Sequence, residues 1–107
     1  MNKHNNNEIA IITESILNAV SAEAIYLFGS HAYGTPDENS DYDIYVVVPD
    51  DANDLTELYA DIQGMLRKKK LFSLDLLLGR SSVFNRRKNG PTLERIVANR
   101  GTLLYGA

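Results

Sequence analysis

Three short apolar runs, each followed by a glycine or a proline, set the main constraint on how this chain can fold. They are Ala24–Phe28 before Gly29, Tyr42–Val48 before Pro49, and residues 71–78 before Gly79. Runs of this length that end at turn-forming residues are typical of buried strands. The segments between them repeat apolar residues at helical spacing. This alternation predicts an α/β (α+β) domain, a small mixed β-sheet with helices packed on one face.

The helical segments can be placed from the same periodicity. We predict a first helix from Glu8 to Val20, a short helix at Ser30–Tyr33, and a clear helix from Leu55 to Leu66 that Asp54 and Glu57 cap. A short basic helix is expected over 82–89, a last helix from Leu93, and an edge strand over 102–105. Turn-forming residues fill the stretch before the second strand, namely Gly34, Pro36, Asp37 and Asn39.

Length and composition exclude several classes of protein. At 107 residues and 11.9 kDa the chain has room for one domain, which we assign to residues 8–107 after a flexible Asn-rich tail at 1–7. The absence of cysteine excludes disulfides, thiolate zinc sites and a cysteine nucleophile. Two histidines, His4 and His31, are too few for a histidine metal cluster.

The chain shows no sign of a membrane or export signal. Its start is polar, and no stretch has the roughly 18 consecutive apolar residues of a membrane span. We therefore expect a cytoplasmic protein with no membrane partner and no direct binding to DNA.

Charge is distributed unevenly along the chain. Residues 1–66 carry twelve acids and one base, a balance of −11, whereas residues 67–107 carry ten bases and two acids, a balance of +8. This asymmetry fits an acidic site beside a basic face that attracts phosphates, and it fits an ordinary solvated surface equally well.

Two aspartates stand at the head of the second strand. Side chains at i and i+2 of a strand leave the same face, so Asp41 and Asp43 point together while Tyr42 points to the other face. Like charges this close raise each other's pKa values unless a cation lies between them. Magnesium prefers such hard oxygen ligands together with substrate phosphates.

A third aspartate interrupts the third strand with the same parity. Phe72, Leu74, Leu76 and Leu78 form its apolar face, which leaves Asp75 on the other. If the two strands are neighbours, three carboxylates share one pocket and can hold two Mg²⁺ ions about 3.5–4 Å apart for nucleotidyl transfer. Asp75 is also a candidate general base.

The turn after the first strand supplies the second half of the candidate site. Gly29 allows the backbone to approach a phosphate closely. Ser30 begins a predicted helix whose free N–H groups favour an anion, and its hydroxyl adds one hydrogen-bond donor. Ten residues separate Ser30 from Asp41. Each motif alone is weak evidence, but the glycine-serine turn, the aspartate pair and Asp75 together indicate a nucleotide site.

The run GSHAYGTPDENSDYDIYVVV resembles the signature of the minimal nucleotidyltransferases of the DNA polymerase beta-like superfamily. FSLDLLL resembles the family's strand with the third carboxylate, and LERIVANRGTLLYG its closing helix and strand. The resemblance implies that Asp41, Asp43 and Asp75 bind Mg²⁺ and act in catalysis, and that Gly29 and Ser30 hold the nucleotide triphosphate, ATP.

The resemblance also implies a partner. Such enzymes commonly act as antitoxins that transfer AMP from ATP to a tyrosine of a HEPN-domain toxin, as in type VII-like toxin–antitoxin pairs. Family members often have arginines where this chain has His31 and Tyr33. An imidazole is mostly neutral at pH 7, whereas a guanidinium is always charged, so His31 is a weaker candidate phosphate ligand.

Two other hypotheses remain open at the level of sequence. The chain could be a catalytically weak or silent binding subunit that neutralises its partner by contact. It could also be a half-enzyme that modifies a small molecule at the interface of a homo-oligomer. Arg67–Lys70, Arg80 and Arg86–Lys88 are candidates to compensate for the missing arginines, or to form a solvated face.

Overall fold

The fold was established from a computed structural model, which describes residues 3–35, 41–70 and 74–106, with side chains from residue 7 onward. The predicted turn residues Pro36, Asp37 and Asn39, and the predicted strand residues 71–73, lie outside these described residues. In chain order the elements are α1 (Lys3–Ala19), β1 (Ala24–Phe28), α2 (Ser30–Tyr33), β2 (Tyr42–Val48), α3 (Leu55–Lys68), β3 (Leu74–Arg80), α4 (Ser81–Arg87), α5 (Leu93–Arg100) and β4 (Thr102–Gly106).

The four strands form one mixed sheet in the order β3-β2-β1-β4. Strand β1 runs antiparallel to both β2 and β4, whereas β2 and β3 run parallel. The register aligns Phe28 with Asp43 and Asp43 with Asp75, so one row of residues crosses three strands at the same end of the sheet. This row positions the candidate site.

One face of the sheet packs against α1 and α3. The alternate residues Ile44, Val46 and Val48 of β2 are fully buried there, as period-two alternation requires. The helices contribute Ile12 and Ile16 from α1, and from α3 the residues Leu58, Ile62 and Leu66. These residues belong to the larger hydrophobic cluster of the part of the chain that the structure describes.

The other face has a smaller cluster that α4 and α5 complete. Tyr45 and Val47 of β2 pack there with Phe28, Phe84 of α4 and Val97 of α5. The predicted class, an α+β domain with a small mixed sheet and helices packed on it, is confirmed. The short helices α4 and α5 additionally cover part of the second face, which the sequence patterns did not indicate.

The ends of several elements differ from the sequence-based expectations. Helix α1 begins at Lys3 rather than Glu8, because apolar periodicity marks only the packed part of a helix and the polar residues before it contain no Gly or Pro to stop it. Strand β3 continues through Gly79 to Arg80. A side chain at Gly79 would overlap the Tyr45 hydroxyl, so this glycine serves close packing instead of ending the strand. Asp54 caps α3 as predicted, its side chain accepting a hydrogen bond from the Thr56 N–H.

Within the described ranges, none of the helices combines the length and the apolar character that crossing a membrane requires.

Candidate functional site

Gly29 forms the sharp turn at the end of β1. Its φ of 73° and ψ of −155° belong to a backbone region that is almost exclusive to glycine. A Cβ atom added here would overlap the Asp43 carboxylate oxygen Oδ2 and lie 3.0 Å from its Cγ. The structure thus places the Gly29 backbone directly against the side chain of Asp43.

The helix that follows this turn is a single turn of four residues. The Gly29 carbonyl accepts hydrogen bonds from the N–H groups of Ala32 and Tyr33 at 3.0 and 3.1 Å, which closes the turn. Gly34 then approaches Ser30 closely, since an added Cβ would lie 2.7 Å from the Ser30 Cα. A helix this short has a small dipole, so the Ser30 hydroxyl and the glycine backbone are what this turn offers to a phosphate.

Asp43 and Asp75 lie side by side on the sheet. They are register partners on the parallel strands β2 and β3, and neighbouring register partners project from the same face. Partial burial raises the pKa of Asp43, and the charge and hydrogen bond of Asp75 and the charge of Asp41 raise it further. The structure therefore brings these carboxylates close enough to repel each other, at the position where Gly29 packs.

Asp41 and Asp75 are more exposed than Asp43. Asp41 precedes β2, and Asp75 is on β3, an edge strand of the sheet. Among the residues that the structure describes, no group of three His, Cys, Asp or Glu side chains is arranged to hold a metal ion. The Asp43–Asp75 pair nevertheless fits magnesium in its chemistry, because both supply hard oxygen donors whose mutual repulsion a divalent cation would relieve. The metal-binding role of Asp41, Asp43 and Asp75 stays a prediction.

His31 is in α2, two residues after Gly29. Its ring stacks on that of Tyr42, with centroids 4.2 Å apart and an interplanar angle of 28°. The positive charge of a protonated His31 lowers the pKa of Asp43, against the effects that raise it. The role of His31 in binding the nucleotide stays a prediction.

Sequence reasoning missed two residues that support His31. Parity places Tyr42 on the face opposite the aspartates, where it is buried, and its hydroxyl donates a hydrogen bond of 2.6 Å to Oε1 of Glu8. Burial and this bond raise the pKa of Tyr42. No local signal links Glu8 to Tyr42, because the two residues are 34 positions apart in the chain.

Two of the basic residues considered as phosphate ligands, Arg80 and Arg87, bind other groups within the fold. Arg80 donates hydrogen bonds to the carbonyls of Asp50, Ala52 and Asn53 in the loop before α3. Arg87 forms a 3.0 Å salt bridge with Glu94. Arg80 and Arg87 therefore stabilise the fold. Arg100, which the sequence patterns did not single out, stacks its guanidinium 4.3 Å from the ring centroid of Tyr33 in α2.

A shallow groove of about 300 Å³ lies elsewhere, between α3 and the edge strand β3. Its lining is mainly apolar and consists of Leu55, Thr56, Tyr59, Leu76, Leu77 and Leu78. Without titratable carboxylates or imidazoles in its lining, this groove is unsuited to phosphate chemistry, and the candidate site remains at the Gly29 end of the sheet.

Comparison with known families gives a match over nearly the whole chain. The family described as "Polymerase beta, Nucleotidyltransferase" matches residues 11–107. This range includes Gly29, the aspartate pair and Asp75. A comparison with curated proteins finds no relative that matches.

Several solved structures share the fold. A candidate nucleotidyltransferase from Sulfolobus solfataricus aligns with a TM-score of 0.63 and 20% identity, over 92% of this chain and 78% of its own. A chain of a toxin–antitoxin complex with AMP-PNP aligns with a TM-score of 0.59 and 21% identity, over 92% and 73%. A chain of a complex between a tri-AMPylated Shewanella oneidensis HEPN toxin and an MNT antitoxin aligns with a TM-score of 0.54 and 17% identity, over 95% and 72%. At these identities the likeness shows the fold.

Proposed function

Because the chain belongs to the polymerase beta nucleotidyltransferase family, we propose that it transfers AMP from ATP to a hydroxyl group in a magnesium-dependent reaction. The observation that carries this proposal is the Asp43–Asp75 pair, in register on parallel strands with the Gly29 backbone against Asp43. A glycine turn beside paired carboxylates suits a triphosphate and its cation.

The chemistry assigns a role to each residue. Asp41, Asp43 and Asp75 would hold Mg²⁺, which neutralises phosphate charge when bound. Gly29 and Ser30 offer a close backbone approach and a hydroxyl donor to the triphosphate. Asp75, exposed on the edge strand, can accept the proton of the acceptor hydroxyl, whose oxygen bonds to the α-phosphorus while the bond to pyrophosphate breaks.

We propose a tyrosine of a HEPN-domain protein as the acceptor. The support is the likeness in fold to a chain from a complex described as a tri-AMPylated HEPN toxin with an MNT antitoxin, and to a chain from a toxin–antitoxin complex with AMP-PNP. The chain would then act as the antitoxin of such a pair.

The experiment combines the purified chain, a co-expressed HEPN-domain partner, Mg²⁺ and ATP labelled at the α-phosphate. The wild type should label the partner. Replacing both Asp41 and Asp43 by Asn should lower the labelling rate by at least about 100-fold, because metal-ion stabilisation of the transition state amounts to several kcal/mol. Asp61→Asn, an exposed carboxylate on α3, is the matched control and should label like the wild type. Equal labelling by the double variant would refute the catalytic assignment.

A second candidate is a binding subunit that neutralises its partner without catalysis. The observation in its favour is that the described residues contain no three-residue group arranged to hold a metal. The two functions differ in one outcome: the enzyme loses neutralisation when Asp41 and Asp43 are both replaced by Asn, whereas the binding subunit keeps it. Growth of cells that express the partner with each antitoxin variant measures this outcome.

A further inference from the structure

The position of His31 depends on its neighbours more than on its own helix. Helix α2 is one turn long, and none of its residues Ser30–Tyr33 is buried. An isolated turn of this length is unstable in water, since helix nucleation is unfavourable. A surface against which the His31 ring packs therefore contributes to its orientation.

That surface is the ring of Tyr42. The Tyr42 side chain is only 7% exposed and belongs to the larger core cluster, so its ring is fixed by packing. Its hydroxyl donates the 2.6 Å hydrogen bond to Glu8 of α1. Tyr42 is thus held both by the core and by a helix that is distant in the chain.

The stack places His31 on a rigid support at the edge of the candidate site. The centroid distance of 4.2 Å and the angle of 28° describe stacked rings in contact. Asp43 follows Tyr42 directly in β2 and faces the opposite side of the sheet, but the backbone of Gly29, two residues before His31, lies against the Asp43 carboxylate. His31 therefore belongs to the turn that contacts Asp43, at the edge of the candidate site.

We propose that Tyr42, anchored by Glu8, is a positioning residue that holds His31 in the orientation required to bind a nucleotide phosphate. This inference rests on the proposed function and adds to it a residue outside the glycine-serine and aspartate motifs. It also explains how a histidine can serve at this position: pre-ordering by the stack lowers the entropy lost when the phosphate is bound.

A double-mutant cycle on nucleotide affinity tests the proposal. The dissociation constant of AMP-PNP with Mg²⁺ is measured for the wild type, Tyr42→Leu, His31→Ala and the double variant. We expect each single change to weaken binding by about tenfold, the loss of one charge-assisted hydrogen bond. If Tyr42 acts through His31, the double variant binds like His31→Ala alone. Losses that multiply in the double variant would overturn the proposal.

Two further variants separate positioning from general stability. Tyr42→Phe keeps the ring and loses the bond to Glu8, so its affinity should stay within about threefold of wild type, as the loss of a single neutral bond predicts. Tyr45→Phe removes a comparable tyrosine–carboxylate bond from the same strand, that with Glu94, and should leave nucleotide affinity unchanged. If Tyr45→Phe weakens binding as much as Tyr42→Leu, the effect is structural and the proposal fails. If Tyr42→Leu does not fold, Tyr42→Met replaces it in the cycle, because the flexible methionine side chain fills irregular gaps. We expect Tyr42→Met to weaken AMP-PNP binding as much as Tyr42→Leu would.

Proton NMR of the chain without nucleotide gives a readout that does not depend on activity. The ring current of Tyr42 should shift the His31 imidazole signals, and Tyr42→Leu or Tyr42→Met should abolish this shift while leaving the signals of His4, the other histidine, in place. Unchanged His31 signals would overturn the stacking. Absence of AMP-PNP binding by the wild type, with the ring-current shift present, would instead refute the proposed function and with it the role of Tyr42 in phosphate binding.

Discussion

Two features of the fold require a glycine at position 29. Its backbone angles are almost exclusive to glycine, and its missing side chain leaves the space in which the Asp43 carboxylate lies. The Gly29 turn and Asp43, which are distant in the sequence, are therefore in direct contact in the fold.

Replacing Gly29 by alanine should damage both the fold and the site. We expect a loss of about 1–3 kcal/mol in the free energy of unfolding from backbone strain, with a displaced Asp43 carboxylate and lower nucleotidyl transfer. Urea unfolding and the AMP-labelling assay measure the two effects. Gly64→Ala is the matched control: Gly64 is inside α3 with nothing within 4 Å of an added Cβ, and this change should stabilise the protein by about 0.4–1 kcal/mol. A Gly29→Ala protein as stable and active as the wild type would contradict the assigned geometry.

The charged Asp43 carboxylate should lower the stability of the folded protein when no cation is bound. Burial and the neighbouring carboxylates raise its pKa, so the charged form is disfavoured in the folded protein and stability falls as pH rises above the ordinary value of 3.8. Asp43→Asn removes one charge and retains a donor to Asp75. At pH 7 without divalent ions, the melting temperature should rise by up to about 5 °C, since exposed charge interactions contribute up to about 1 kcal/mol.

Magnesium should reverse the order of the melting temperatures of the wild type and Asp43→Asn. Added Mg²⁺ should raise the melting temperature of the wild type and leave that of Asp43→Asn nearly unchanged, because a ligand that binds the folded state stabilises it. A variant that is less stable than the wild type without divalent ions would show that the carboxylates do not repel each other as the structure indicates.

At the scale of the elements, the strands were easier to predict than the packing around them. Strand β2 is dense in β-branched and aromatic residues, and its predicted bounds match the structure. The packing on its second face was not predictable in the same way, because α4 and α5 have only seven and eight residues and their apolar spacing does not show which face of the sheet they cover. Their packing against Tyr45 and Val47 depends on long-range contacts that leave no periodic signal.

Polar contacts between elements were likewise not predictable from the sequence. The Tyr45 hydroxyl donates a 3.0 Å hydrogen bond to Glu94, 49 residues further along the chain, and Glu94 also accepts from Arg87. Together these contacts connect β2, α4 and α5. Burial alone would raise the pKa of Glu94, but the hydrogen bonds from Arg87, from its own backbone and from Tyr45 outweigh burial and lower it.

The contacts of Glu94 with Tyr45 and Arg87 predict how the stability of the protein changes at low pH. Because the folded-state pKa of Glu94 is lowered, its contribution to stability is present above the ordinary value of 4.5 and is lost as pH falls through the folded-state value. Glu94→Gln should therefore cost about 1–2 kcal/mol at pH 7, and the difference from wild type should narrow by pH 3. Urea unfolding at both pH values measures it, with Glu14→Gln on the exposed face of α1 as control. A difference that is the same at pH 3 and pH 7 would contradict the charged network.

At the scale of the whole molecule, the order of the strands creates the candidate site. Parity in the sequence places Asp43 and Asp75 on one face of their own strands, but it does not say which strands are neighbours. The order β3-β2-β1-β4 supplies that information and aligns Phe28, Asp43 and Asp75 in one row. The family motif predicts the same convergence, whereas the supporting contacts of Tyr42 and Glu8 depend on how α1 crosses the sheet.

The most direct test of the account is to locate a bound divalent ion on the chain. Mn²⁺, added with AMP-PNP to the isotope-labelled protein, broadens the NMR signals of nearby nuclei. We predict selective broadening of the amide signals of Gly29, Asp43 and Asp75, which occupy one end of the sheet. Those of Gly64 on α3 should stay sharp. Broadening elsewhere on the fold with sharp signals at Asp43 and Asp75 would contradict the central claim that these carboxylates form a metal–nucleotide site.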